Sequence, residues 1–118
     1  MNVEGVLTLD NVDLQGRTVL FRVDVNSPIE PSSGELLDDG RLRAIVPTLN
    51  RIQSSRVVLL AHQSRPGKAD FTSMRKHSER LSEIIGRSID FIPDVCSDKA
   101  INEIEKMRDG DIVFLDNV

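Results

Sequence analysis

Four short apolar runs punctuate the chain, and a cluster of polar residues follows most of them. In residues 18–23, Val19, Leu20, Phe21 and Val23 form an almost continuous apolar run broken only by Arg22, the pattern of a strand buried on both faces. Residues 57–61 and 111–115 have the same character, and residues 89–92 supply a shorter strand between them. Leu42, Ile45, Val46, Leu49 and Ile52 recur at the spacing of an amphipathic helix, with Asp38 or Asp39 as its cap. Pro47 lies inside that stripe and would cost ~3 kcal/mol in a straight helix interior, so a kink or a later start is expected there. Met74, His77, Leu81, Ile84 and Ile85 form a second stripe, begun by Thr72 or Ser73 and stopped by Gly86. Ala100, Ile101, Ile104 and Met107 form a third, capped by Ser97 and stopped by Gly110.

Strands that alternate with helices of this length need crossover connections, which make a mostly parallel sheet with helices on its faces. The expected fold is a three-layer α/β/α, Rossmann-like arrangement. Residues 28–34, with Pro28, Pro31, Ser32 and Ser33, read as one long loop. Three residues after the last run the chain stops, before a further helix can return to the sheet. It is therefore expected to be part of a larger fold.

Composition narrows the function classes. Residues 1–118 match the size of one domain. Fifteen Lys plus Arg against nineteen Asp plus Glu give a net charge of -4, which argues against broad binding to nucleic acid or anionic membranes. Any anion site must then be a local basic cluster. The lone Cys96 excludes an internal disulfide and a zinc site built from cysteines, and fits a reducing, cytoplasmic setting. No stretch approaches the ~20 apolar residues of a membrane span, and residues 1–5 do not open a secretion signal.

In an open parallel sheet, ligands bind outside the carboxyl ends of the strands, where loop amides and helix N-termini converge. Asp24 and Asn26 follow the first strand, spaced so that both side chains leave an extended chain on one side. His62, Gln63, Ser64, Arg65, Pro66, Gly67 and Lys68 follow the second, a loop rich in donors. Arg41 and Arg43 stand near the start of the first helix, an unfavourable place for cations unless an anion is near. An arginine fork matches phosphate or carboxylate oxygens two at a time, and Asp24 suits a substrate hydroxyl. The implied ligand carries phosphate, carboxylate and hydroxyl. Plainer readings stand beside these: Arg41 and Arg43 as helix-surface charges, Asp24 and Asn26 as turn or cap residues, and His62 as a core or capping histidine. His77 reads as a packing residue, Cys96 as inert, and Lys68, Arg75, Lys76, Glu103 and Glu105 as solvated charges. A metal site on His62 and Asp24 lacks the further ligands zinc needs.

Three linked motifs carry a resemblance: Arg22-Val23-Asp24-Val25-Asn26-Ser27-Pro28, then Asp38-Asp39-Gly40-Arg41-Leu42-Arg43-Ala44 with Pro47-Thr48, then His62-Gln63-Ser64-Arg65-Pro66-Gly67. In order and spacing they resemble the N-terminal domain of phosphoglycerate kinase, and His62-Gln63-Ser64 looks closer to the archaeal branch. Leu115-Asp116-Asn117-Val118 is similar to the start of a further family segment. The resemblance implies phosphoryl transfer between 1,3-bisphosphoglycerate and ADP, or 3-phosphoglycerate and ATP, in glycolysis and its reversal. It implies that Asp24 and Asn26 hold the glycerate hydroxyl and backbone oxygens, that His62 and Arg65 bind the 3-phosphate, and that Arg41 is the catalytic residue near the transferring phosphoryl group. Residues 1–118 would then be a partial N-terminal domain. The nucleotide domain that binds Mg-ATP or Mg-ADP is expected to be absent, together with its Gly-rich loop.

By the same resemblance this piece alone is expected to bind 3-phosphoglycerate weakly and not to catalyse. The full-length enzyme is expected to be a monomer, whereas an open sheet edge in the piece favours association or domain swapping. Two other readings compete. One is an aspartyl-nucleophile phosphatase using Asp24, although the second aspartate of the usual Asp-x-Asp pair is missing. The other is a noncatalytic binding module whose basic edge recognises a partner.

Overall fold

The computed structural model describes residues 13–30, 32–33, 35–64, 67–68 and 72–117, and each of the four apolar runs is a strand. They are β1 (Thr18–Arg22), β2 (Arg56–Leu60), β3 (Asp90–Ile92) and β4 (Ile112–Leu115). The sheet order is β1-β2-β4-β3 and every pairing is parallel, with Leu20 opposite Val58, Val58 opposite Val113 and Phe91 opposite Phe114. Parallel neighbours require crossovers. These are α1 (Gly40–Ala44) and α2 (Val46–Arg51) between β1 and β2, α3 (Arg75–Ile85) between β2 and β3, and α4 (Asp98–Glu105) between β3 and β4.

Alternation along each strand sorts the core into two layers. Val57, Leu59, Ile112 and Phe114 meet Leu42, Leu49, Ile52, Met74 and Leu81 from α1 to α3 and their flanks. Val58, Val113, Leu115 and Ile92 meet Ala100 and Met107 on the other side. The three-layer α/β reading therefore holds. All four residues of β4 are buried, because it lies between β2 and β3 with helices over both faces. Among the described residues no helix is long and apolar enough to cross a membrane.

Several details depart from expectation. β1 is not buried on both faces: among the described residues it is an edge strand, and Leu20 is 67% exposed. The reason is coverage, since α4 packs over the β2, β4 and β3 part of that face and does not extend over β1. The first helical stripe breaks at Ile45 into two short helices, which puts Pro47 in the first turn of α2, where its missing N–H is not needed. Asp39 occupies the cap position of α1 without a cap bond; Asp38 Oδ1 accepts from the Gly40 N–H instead, at 2.8 Å. Met74, not Thr72 or Ser73, precedes α3, and its N–H is taken by Asp116 Oδ1 at 3.0 Å.

Ser97 caps α4 as expected, through its Oγ and the Ala100 N–H. Gly86 ends α3 at φ +68°, the left-handed conformation the sequence required. Gly110 has a different task from the one its position suggested. α4 stops at Glu105, and Gly110, at φ +95°, turns the chain into β4 with its N–H on Ser55 O. Ile101 is half exposed, so the third stripe is narrower than expected. Within residues 28–34 the described part folds back on itself: Ile29 bridges Leu36, and the Leu37 N–H reaches Pro28 O at 2.8 Å.

Candidate functional site

The carboxyl ends of β1, β2 and β4 lie side by side because the strands are parallel neighbours, so the residues that follow them share one edge of the sheet. After β1, Asp24 Oδ1 accepts from Arg41 Nη1 at 2.7 Å and from the Asn26 N–H at 3.3 Å. The Arg41 bond first, and the Asn26 amide second, hold the Asp24 carboxyl below the usual carboxylate range, with a smaller contribution from nearby His62. Asp24 is therefore ionised at neutral pH. Both side chains of this pair are mostly exposed, so it is a weak contributor to stability and is open to competition from an incoming anion.

The second cation of α1 is arranged differently. Arg43 and Arg80 both grip Asp39, which holds that carboxyl low as well. Cations at the start of α1 thus have anionic partners within the chain. Arg43 is bound up with Asp39, while Arg41 points to the strand edge. Beside Asp39, a recess of about 460 Å³ is walled by Glu35, Asp38, Glu79 and Glu83 with Lys76 and Arg80. Its cations are already paired with Glu35, Asp39 and Glu83. The remaining carboxylates repel an anion, so this recess is not the anion site.

His62 is exposed and lines a shallow hollow with Arg22, Leu60 and Ala61. Arg65 and Pro66 lie outside the described residues. Asp24, Asn26, Arg41 and His62 thus gather at the edge that strand polarity selects. Among the described residues no group of three His, Cys, Asp or Glu side chains could hold a metal. Arg75 and Lys76, expected to be free solvated charges, have partners: Arg75 lies 4.7 Å from the Phe91 ring centre and Lys76 pairs with Glu35.

The buried part of the site was missed. Gln63, expected to be one more loop donor, is 0% exposed, as is His77, and the two share a 2.9 Å hydrogen bond. His77 is therefore packed in the core as expected, and is hydrogen-bonded there as well. Asn117 brackets Gln63 from β4, accepting from its N–H at 3.0 Å and donating to its C=O at 2.9 Å. Two signals were available. The period-two alternation Ala61, His62, Gln63 turns Gln63 inward with Ala61, and Asp116 and Asn117 follow β4 as Asp24 and Asn26 follow β1.

The family model of phosphoglycerate kinase matches residues 9–118. This chain belongs to that family. It is 45% identical over its whole length to a phosphoglycerate kinase of Methanosarcina mazei, and 41% identical to that of Archaeoglobus fulgidus, both archaea. Each match takes in 28% of the relative, so the chain spans little more than a quarter of the curated phosphoglycerate kinases it matches. A crystal structure of phosphoglycerate kinase from Pyrococcus horikoshii superposes on 95% of the chain with a TM-score of 0.91 at 29% identity, again over 28% of that protein. The fold alone is shared with the Coxiella burnetii phosphoglycerate kinase, at a TM-score of 0.69 and 23% identity. A kinase family, and an Asp24 carboxylate already engaged by Arg41, displace the aspartyl-nucleophile alternative.

Proposed function

We propose that these residues form the 3-phosphoglycerate-binding part of a phosphoglycerate kinase, a cytoplasmic enzyme that transfers a phosphoryl group between 1,3-bisphosphoglycerate and ADP. The observation that carries the reading is the exposed Arg41 to Asp24 pair beside Asn26, at the carboxyl edge of a sheet matched to this family. Asp24 accepts from the substrate hydroxyl. Asn26 donates to a substrate oxygen, because its own oxygen is taken by the Ser64 N–H. His62 and Arg65 hold the 3-phosphate, and Arg41 leaves Asp24 to lie along the transferring phosphoryl oxygens, whose charge it offsets. No nucleophile is needed from the protein, since the substrate carboxylate attacks in the ATP-consuming direction. Mg-ATP or Mg-ADP is assigned to the remainder of the longer protein.

Calorimetric titration at low salt tests this directly. The chain is expected to bind 3-phosphoglycerate more tightly than inorganic phosphate. Arg65→Ala is expected to weaken that binding by roughly tenfold or more, the loss of one charge-assisted fork, and Arg41→Ala by less. Equal affinity for the two anions would sink the reading that a substrate half-site is formed here. A second expectation concerns association. Among the described residues β1 has a strand partner on one side only, beside the exposed Leu20, so the isolated chain should self-associate in sedimentation experiments and Leu20→Lys should shift it toward monomer. A chain that sediments as a monomer throughout the micromolar range contradicts this.

A further inference from the structure

Gln63 uses every hydrogen-bonding group it has. Its side-chain Oε1 accepts from the Ser27 N–H at 2.9 Å, while its Nε2 donates to Ser27 O at 2.8 Å. Only one orientation of the carboxamide satisfies both backbone groups, and it leaves Oε1 as the atom facing His77 Nε2 at 2.9 Å. His77 must then carry its proton on Nε2, with a bare Nδ1 that has no partner among the described residues. The Gln63 backbone is held by Asn117, whose Nδ2 also donates to Thr72 O at 2.7 Å. One residue further on, the Ser64 N–H donates to Asn26 Oδ1 at 3.0 Å. Residues 26 and 27 are thus tied to 64 and 63, by one part-buried bond and two buried ones.

We propose that Gln63 is the positioning residue of the substrate site: its buried carboxamide, oriented by the Ser27 backbone and supported by His77, fixes the loop after β1 against the loop after β2 and so aims the Asn26 amide. The inference rests on the substrate reading of Asp24, Asn26 and Arg41 above. Gln63 is fully buried, so its action is through its neighbours. Ser27 is only 4% exposed; without Gln63 its N–H and C=O would be left unpaired in the interior, and the loop would have to move to reach water. Asn26 is the next residue. Such a movement swings its Nδ2 hydrogens away from the substrate, although Gln63 itself, fully buried, touches none.

Amide hydrogen exchange, histidine nitrogen shifts and ligand titration on the full chain separate the possibilities. In Gln63→Leu, the Ser27 and Ser64 amides should exchange at least tenfold faster while those of Val58 and Phe114 keep their protection. Affinity for 3-phosphoglycerate should fall at least tenfold. His77→Gln, which still offers an N–H to Oε1, should stay near the unmutated rates, and His77→Leu should not. The unmutated chain should show the Nε2–H tautomer of His77, a result that requires no variant to fold. Unchanged exchange at Ser27 and Ser64 in Gln63→Leu, or an Nδ1–H tautomer, overturns the proposal. If the unmutated chain fails to prefer 3-phosphoglycerate to phosphate, the substrate reading falls, while the exchange and tautomer results independently decide whether Gln63 ties the loops.

Discussion

Phe114→Ala is expected to remove about 3–5 kcal/mol of stability, a large share of the roughly 5–15 kcal/mol that holds a domain together. Phe114 is 0% exposed on the central strand β4, between Leu59 and Phe91 in register, and shares one core with Leu42, Leu49, Met74 and Leu81. Helices from both crossovers on that face converge on it, so a cavity there cannot close by the shift of a single element. Urea unfolding provides the measurement: the midpoint should fall while the slope stays constant. Leu20→Ala, at a site 67% exposed, serves as the comparator and should change stability by no more than about 0.5 kcal/mol. Similar losses at the two sites would contradict the layer assignment.

Acidification should weaken the fold well above the pH at which carboxylates titrate. Burial lowers the His77 pKa from 6.5 to about 4, since a second proton on Nδ1 would be interred without an acceptor. The unfolded chain therefore binds a proton below pH 6.5 that the folded chain refuses. Stability from this group is complete above pH 6.5 and declines as pH falls toward 4, by about 1.4 kcal/mol per pH unit in the steep part and on the order of 3 kcal/mol in all. Asp24 and Asp39 have depressed pKa values too, but their ordinary value is 3.8, so their contribution is lost only at lower pH. Denaturant midpoints between pH 7 and 4.5 should therefore slope downward, and His77→Gln should flatten them. A slope that survives this substitution would place the titrating group elsewhere.

The sequence conveyed the layers well because each strand is a dense apolar run and each helix carries its stripe. It misjudged β1 because a run such as Val19, Leu20 and Phe21 records what the strand can bury, and not which neighbours lie over it. Pro47 was legible as a disturbance, yet only the geometry showed that Ile45 takes the break and lets the proline begin a new helix. Strand polarity pointed to the edge where Asp24, Asn26 and His62 lie, and Arg41 stood out as a cation at a helix start; the structure brings these four together. The inward turn of Gln63 was there in its alternation with Ala61 and the burial of His77 in its stripe, but a hydrogen bond between residues fourteen apart is marked in neither pattern. Each looked ordinary by itself: one polar residue in a polar loop, one histidine in an apolar stripe.

Strand order has a consequence for the growing chain. β3 pairs with β4 and with no other described strand, although it is made first. While a ribosome adds the intervening residues, at roughly 5–20 per second, the segment Asp90–Ile92 has no sheet to join. β1 and β2 are by then made and have only each other to pair with, the β2 side standing open where β4 will enter. For about a second or more a newly made chain therefore holds three strands of a sheet whose joining member does not yet exist.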